Sequence, residues 1–452
     1  MRIVMIGVGA IGNTILKSLS AEGHEITVID EDSERVERLI EQYDVFGVVG
    51  NGACRAIQLE AHMAQADLAL ALTDSDELNV FACLVAKKIG VQNTIARVRN
   101  PEYRQQIMDM KNELGISMIV NPERDVATEM YYLINLPPIA KLESFAKGRA
   151  VLVEIVVDKG CLLIGQTLAA LGKKLTNRVL VCAVQRGEEV MIPAGNFMIK
   201  KGDRIHFTAN AANLRDFLSE IQLVTMQMRN IMIVGGNKTS FYLADDLCKK
   251  KYQVKLITHD AEAAEELAEL LPRASVIYGN FARQDLLLEE GLPSMDAFVA
   301  LTQSDEGNII ASMFANRMKV KKTITQIKHE DLFGMMRELG TRNTVSPAEI
   351  VANKVISYIR ALSNKRGSNI LNLYRVVENR VEAIEFLAQK NTKIYDIPLK
   401  ELKIRENCLI ACIIRKNEVL IPCGDTCIKL GDNVVVVTTH KNFDDLTDIL
   451  EQ

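Results

Sequence analysis

No run of apolar residues in this sequence approaches the roughly 18 to 20 that a membrane-spanning helix needs, so direct insertion into a bilayer is not expected. The opening "MRIVMIGVG" enters a strand directly, without the basic, apolar and cleavage regions of a secretory leader. Excess charge is lacking too. With 54 Lys and Arg set against 58 Asp and Glu, the net charge is −4 and the pI near 6.0, which gives no general pull toward nucleic acid or anionic lipid. The six histidines (His24, His62, His206, His259, His329 and His440) fall at no ligand spacing. Nine cysteines, an odd number scattered through apolar segments, argue against a disulfide framework and predict reduced, buried thiols in a cytosolic protein. Two pairs, Cys408 with Cys412 and Cys423 with Cys427, imitate zinc spacing. Cys408 and Cys412 nevertheless read as neighbours on one face of an apolar strand, and no metal is expected.

What the sequence does contain is itself, twice. Its 452 residues exceed one hydrophobic core, and about two to four domains are expected. Aligning "MIG" (5–7) with "IVG" (233–235) sets an offset of 228 that persists down the chain. "VVGNGA" (48–53) meets "IYGNFA" (277–282), and "LALTDSDELNVFACLVAKKIGVQNTIARV" (70–98) meets "VALTQSDEGNIIASMFANRMKVKKTITQI" (299–327). Further on, "VMIPAGNFMIKKGDRIHF" (190–207) meets "VLIPCGDTCIKLGDNVVV" (419–436). The chain is a tandem duplication of a unit of about 225 residues. At the positions of the four paired cysteines the first copy has Val179, Ala183, Ala194 and Met198, so the unit folds without them.

Each unit has two unlike parts. Residues 1–135 and 229–362 alternate short β-branched strands with longer helical periods, the pattern of an α/β, Rossmann-like doubly wound parallel sheet. The strands are apolar, as expected when helices cover both faces. The second parts, 136–225 and 367–452, carry short strands between Gly, Pro and Lys-Gly-Asp turns and read as small α+β modules. Residues 134–148, "INLPPIAKLESFAKG", read as a linker because two prolines end the preceding helix.

The chemistry is concentrated in the first thirty residues. Gly7, Gly9 and Gly12, with Ala10 and Ile11 between the last two, form G-x-G-x-x-G after a strand and at the start of a helix. Such glycines allow a tight turn, close approach to a pyrophosphate and close helix–strand packing, while the helix N-terminus offers amides to phosphate. Asp30, at the end of the second strand, is placed for a ribose diol, and Glu31 and Asp32 beside it disfavour a 2′-phosphate, which points to NAD(H). Thr73 and Asp74 follow the fourth strand, where open α/β sheets bind ligands, and Arg97 at the end of the fifth could reach phosphate. Ser75 and Asp76 read mainly as helix caps. In the second copy Gly9 becomes Asn237, Gly12 becomes Ser240, Asp30 becomes Thr258, Asp74 becomes Gln303 and Arg97 becomes Gln326. The fold is retained and the dinucleotide site lost or degraded, though Lys238 could still attract a phosphate.

A dehydrogenase would need an acid–base residue near the hydride acceptor, and the first sheet domain offers only His24 and His62. A ligand that shifts a conformational equilibrium fits a duplicated architecture better. With "GVGAIG", Asp30, "ALTDSDELNVFACLVAK", "IARVRNPEY" and the "IPAG" module in this order, the whole chain resembles the TrkA family, cytosolic nucleotide-binding subunits of Trk potassium-uptake systems. That resemblance implies NAD(H) or ATP/ADP bound at Gly7, Gly9, Gly12, Asp30, Thr73, Asp74 and Arg97. It also implies a homo-oligomeric, tetrameric ring docked on a potassium-translocating membrane subunit at the cytosolic face, with no enzymatic activity. A sensing ring on another cation transporter or antiporter, and an oxidoreductase, remain the alternatives.

Overall fold

The computed structural model describes the chain except residues 136–140, 146–149, 159–160, 177–178, 211–212, 224–227, 330–331, 333–342, 365–369, 377–379, 390–393, 417, 441–442, 444 and 452. Its described residues fall into two compact units. One combines residues 1–134 with 228–356, the other residues 135–227 with 357–452. Like parts have paired with like: the two sheet domains form the first unit and the two small modules the second.

In the first sheet domain the strands are β1 (Arg2–Ile6), β2 (Glu25–Asp30), β3 (Phe46–Val49), β4 (Leu68–Ala71), β5 (Asn93–Arg97) and β6 (Met118–Val120). They run parallel in the order β3-β2-β1-β4-β5-β6. The helices are α1 (Ala10–Ala21), α2 (Ser33–Tyr43), α3 (Arg55–Glu60), α4 (Asp76–Ile89), α5 (Pro101–Met110) and α6 (Pro122–Asn135). Local chemistry sets their ends. Ser75 caps α4 by accepting the Leu78 N–H at 3.1 Å, Asp76 and Glu77 stand in its first turn, Lys87 and Lys88 in its last, and Gly90 at φ 126 ends it. Those charges complement the helix dipole. β1 and β4 are neighbours although far apart in sequence, so the chain switches direction across the sheet there and leaves a crevice at the carboxyl ends of the strands.

The second sheet domain repeats this order from Asn230–Val234 to Thr344–Val345. The two sheet domains share a core. Val126, Ala127, Met130 and Ile134 of α6 pack with Ile231, Ile233, Leu243 and Leu247 of the second copy. Polar pairs rim this core: Arg124 with Asp246 at 2.9 Å, Lys354 with Asp125 at 2.7 Å, and the Asn121 amide with the Tyr242 hydroxyl at 3.4 Å.

The second unit contains two five-stranded antiparallel sheets. The expected linker is partly strand: Lys141–Phe145 pairs antiparallel with Ala150–Val156, while 136–140 and 146–149 lie outside the described residues. An edge strand with mixed polarity leaves little periodic signal, and its pairing is dictated by the free edge of its neighbour. The sheets meet face to face through Ala150, Leu152, Cys182 and Ala183 on one side and Val381, Ala383, Ala411 and Cys412 on the other. Cys408 lies in a different core, with Ile384, Ile410 and Val436. The expectation that Cys408 and Cys412 share a face is therefore corrected. A bulge between Ile410 and Cys412 shifts the alternation by one residue, so the two thiols point to opposite sides. The first copy has the matching irregularity, where Cys182 and Ala183 both face the joint. Nor are all thiols buried. Cys54 and Cys423 are exposed and Cys427 half-buried, because each sits in or beside a turn rather than inside a strand.

The repeated Lys-x-Gly-Asp turn has a structural role in both modules. Gly202 takes φ 91, the Asp203 carboxylate accepts the Lys200 N–H at 2.8 Å, and Arg186 grips both carboxylate oxygens at 2.7 Å. Asp432 and Arg415 repeat the clamp at 2.9 and 2.7 Å. Burial opposes the charge of Asp203, yet Arg186 and the Lys200 N–H outweigh it and hold the carboxyl below its ordinary range. The stability this supplies is present above the unfolded value of about 3.9 and lost as pH falls through the lowered folded value. Asp203→Asn should cost about 1–3 kcal/mol at pH 7, the usual cost of leaving a buried charge partner unmatched. Urea unfolding should show that deficit shrinking below about pH 4; a deficit constant from pH 7 to pH 3 would contradict the clamp.

Candidate functional site

At the β1/β4 switch a cleft opens with Gly7, Gly9, Ala10, Ile11, Gly12, Asp30, Thr73, Asp74 and Arg97 in its lining, part of a cavity of about 1410 Å³ that both sheet domains wall. The structure thus brings all nine residues singled out in the sequence to one place. Gly7 has φ 80, and a Cβ there would meet Thr73 backbone and side-chain atoms at 2.7–2.9 Å. A side chain at Gly12 would press on the Gly7 carbonyl at 2.9 Å, whereas one at Gly9 would meet nothing within 4 Å. Gly7 and Gly12 are therefore required by the fold, and Gly9 by the space in front of it. Gly9 supplies no side-chain cap to α1, and the first turn carries no acid. The leading amides of α1 are left for something else to satisfy.

Asp30 is 9% exposed. Its Oδ2 accepts the Val8 N–H at 2.9 Å and its Oδ1 the Asp32 N–H at 3.1 Å. Arg35 adds its guanidinium at 3.0 and 3.1 Å to the two oxygens and reaches Asp32 at 3.4 Å. Asp32 also caps α2 through the Arg35 N–H. Counting three carboxylates at this end overlooked that cation, which the sequence hides five residues away on the following helix.

Thr73 spends its hydroxyl inside the protein, donating to Asn79 Oδ1 at 2.7 Å. Asn79, fully buried, ties the β4 turn to the end of β5 by donating to the carbonyls of Thr73 and Arg97. Asn79 escaped the sequence reading; its recurrence as Asn308, with the same partners around Thr302 and Gln326, was the available signal. Asp76 is not a cap. Its buried carboxylate accepts the N–H groups of Arg99 and Asn100, both at 2.8 Å, and so fixes the loop after β5. Asp305 does the same for Lys328 and His329. Asp74 is largely exposed and pairs with Arg97 at 3.2 Å. Arg97 also faces Glu123 at 3.8 Å, while Arg97 Nε and Glu123 Oε2 are buried without a hydrogen-bond partner among the described residues. Burial pulls the Arg97 guanidinium below its ordinary value, against the attraction of Glu123. A cation held this way is set to pair with an anionic ligand group.

The second copy satisfies its helix start with its own side chain, while Asn237, Gln303 and Gln326 line the same cavity from the other side. Asn237 caps the helix Lys238–Lys249 by accepting the Ser240 N–H at 3.0 Å, and donates to the Leu301 carbonyl at 2.6 Å. Thr258 sits where Asp30 would be, and a Cβ on Gly236 would strike its hydroxyl at 2.3 Å. Lys238 is exposed, and with Lys328 it faces the first copy's cleft from across the shared unit.

Residues 3–122 and 231–347 match the TrkA-N domain, and residues 152–222 and 383–451 the TrkA-C domain. The chain belongs to the TrkA family. It is 31% identical over 444 residues to the Trk system potassium uptake protein TrkA homolog 1 of Methanosarcina mazei, covering 96% of this chain and 97% of that one. To the Trk system potassium uptake protein TrkA of Vibrio alginolyticus it is 30% identical over 450 residues, covering 98% and 97%. Among solved structures, the GsuK channel bound to NAD superposes with a TM-score of 0.63 at 18% identity, over 97% of this chain and 77% of that one. GsuK bound to ADP does so with a TM-score of 0.51 at 16% identity, over 80% and 69%. At such identities the likeness concerns the fold alone.

The two kinds of glycine give a direct test. Gly7→Ala should cost about 2–4 kcal/mol, from a left-handed backbone and a clash with Thr73. Gly9→Ala should stay within about 1 kcal/mol of the parent. Thermal unfolding of both variants checks this, and equal losses would refute the division of roles.

Proposed function

We propose that this chain is the non-enzymatic, nucleotide-sensing regulatory subunit of a potassium-uptake system. It takes NAD(H), or ATP or ADP, into the first-copy cleft and thereby biases the gate of a Trk-type potassium-translocating membrane protein. The observation that carries the reading is the uncapped N-terminus of α1, set beside the buried Asp30 and the incompletely partnered Arg97. Family membership and two structural neighbours named as binding NAD and ADP support it.

In this reading the amides of Ala10, Ile11 and Gly12 hold the pyrophosphate, Asp30 accepts from the ribose, and Arg97 pairs with a phosphate oxygen. Gly9 leaves room for the approach, while Thr73 and Asp74 wall the site. A bound nucleotide supplies binding energy that differs between two arrangements of the assembly, and only that difference can move a gate. A tenfold preference is worth about 1.4 kcal/mol per site, and four coupled sites about 5.5 kcal/mol, enough to carry a gate from mostly closed to mostly open. The second copy's site is lost or degraded, because Asn237 satisfies its helix start and Thr258 replaces the carboxylate. The assembly is a tetramer on the cytosolic face of the membrane. It docks through specific contacts, since a net charge of −4 gives no general attraction to lipid.

Isothermal titration should count one NADH per chain. Asp30→Ala should weaken it by about 1–3 kcal/mol, the range for leaving polar partners unmatched, and Gly9→Ala should do so without loss of fold. Two equal sites per chain, unaltered binding in both variants, or potassium uptake unchanged in a deletion strain would refute the proposal.

A further inference from the structure

Arg35 was invisible to motif reading, yet it occupies the most specific position in the cleft. The Asp30 carboxylate offers about four acceptor positions, and three donors already engage it, Arg35 bridging both oxygens through Nη1 alone. Val8 and Asp32 supply two backbone N–H groups, and Arg35 lies within 3.0 and 3.1 Å of the two oxygens. The backbone donors are fixed by the β1 turn and the start of α2. The Arg35 side chain, on the first turn of α2, is 40% exposed and can swing away without moving either. A ribose diol that bonds Asp30 through both hydroxyls needs two positions and must therefore take the place of Arg35.

We propose that Arg35 is a specificity-determining residue, an internal occupant of the ribose position that an incoming nucleotide displaces. This rests on the reading of the cleft as a nucleotide site. Once displaced, the guanidinium stays at the rim of the cleft, held by Asp32, which it already reaches at 3.4 Å. There it stands beside the 2′ position of the ribose it has made way for. A nucleotide with a free diol pays the cost of displacing Arg35 and gains nothing from it. One carrying a 2′-phosphate recovers the cost by pairing with the freed cation. Arg35 thus weakens binding of NADH and ADP and softens discrimination against NADPH, opposing the acidic character of Glu31 and Asp32. The second copy is consistent with a shared role. Where Asp30 becomes Thr258, Arg35 becomes Ala263, so carboxylate and occupant are absent together.

The test is isothermal titration of the full-length chain and its Arg35→Ala and Arg35→Lys variants with NADH, ADP and NADPH. Helix α2 should survive both changes, because its cap uses the Arg35 backbone N–H and not the side chain; unaltered circular dichroism confirms this. Arg35→Ala should bind NADH and ADP about fivefold tighter, the equivalent of roughly 1 kcal/mol for a partly exposed ion pair. NADPH should bind about tenfold weaker than to the parent, for loss of a charged partner, and Arg35→Lys should fall between. NADPH left unchanged while NADH tightens still supports the occupant role. NADH that is unchanged or weakened in Arg35→Ala, or NADPH tightened as much as NADH, overturns it. A parent that binds none of the three overturns the nucleotide reading itself, whatever the variants do.

Discussion

Much of the first unit depends on where α6 buries its apolar side. A parallel sheet needs cover on both faces, and Val126, Ala127, Met130 and Ile134 place theirs in the same core as Ile231 and Leu243 of the other copy. The helix begins at Asn121, whose Oδ1 accepts the Arg124 N–H at 2.8 Å. The Asn121 amide and the Tyr242 hydroxyl both donate to the Arg99 carbonyl, at 3.3 and 3.2 Å. The loop that presents Arg97 and Arg99 to the cleft is therefore anchored in part by the second sheet domain. Interdomain packing and the cleft wall are one set of contacts.

Comparing the copies separates framework from ligand chemistry. The framework is retained: Asn79 and Asn308, Ser75 and Ser304, and Asp76 and Asp305 make the same bonds in both. What changes does so in charged pairs. Asp30 and Arg35 become Thr258 and Ala263, while Arg97 and Glu123 become Gln326 and Ala348. A half-buried charge deprived of its partner is expensive, so the loss of one member of a pair favours the loss of the other. At the position of Arg97, the Gln326 Oε1 is buried without a hydrogen-bond partner among the described residues.

The parallel sheet, the glycine turn and the duplication were legible because each leaves a local, periodic or repeated signature. The six strands of the first sheet domain lie where their apolar runs end in turns, and the cleft forms where the strand order reverses. What escaped has non-local causes. The strand Lys141–Phe145 owes its form to a neighbour's free edge, and the face of Cys412 is set by a one-residue bulge that no alternation predicts. Asp76 resembles a cap from its position, but its partners are the backbone amides of a loop more than twenty residues away. Arg35 sits inside an ordinary amphipathic helix, where a surface cation attracts no notice. The pairing of like domains leaves no trace in any single segment.

The self-made cap of Asn237 also has an energetic consequence. A Gly at the N-cap in place of Asn forgoes only a few tenths of a kcal/mol, and of the two copies the first carries that deficit. Because Asn237 satisfies the helix start of the second domain, the first is the one whose leading helix amides still gain by meeting a new acceptor.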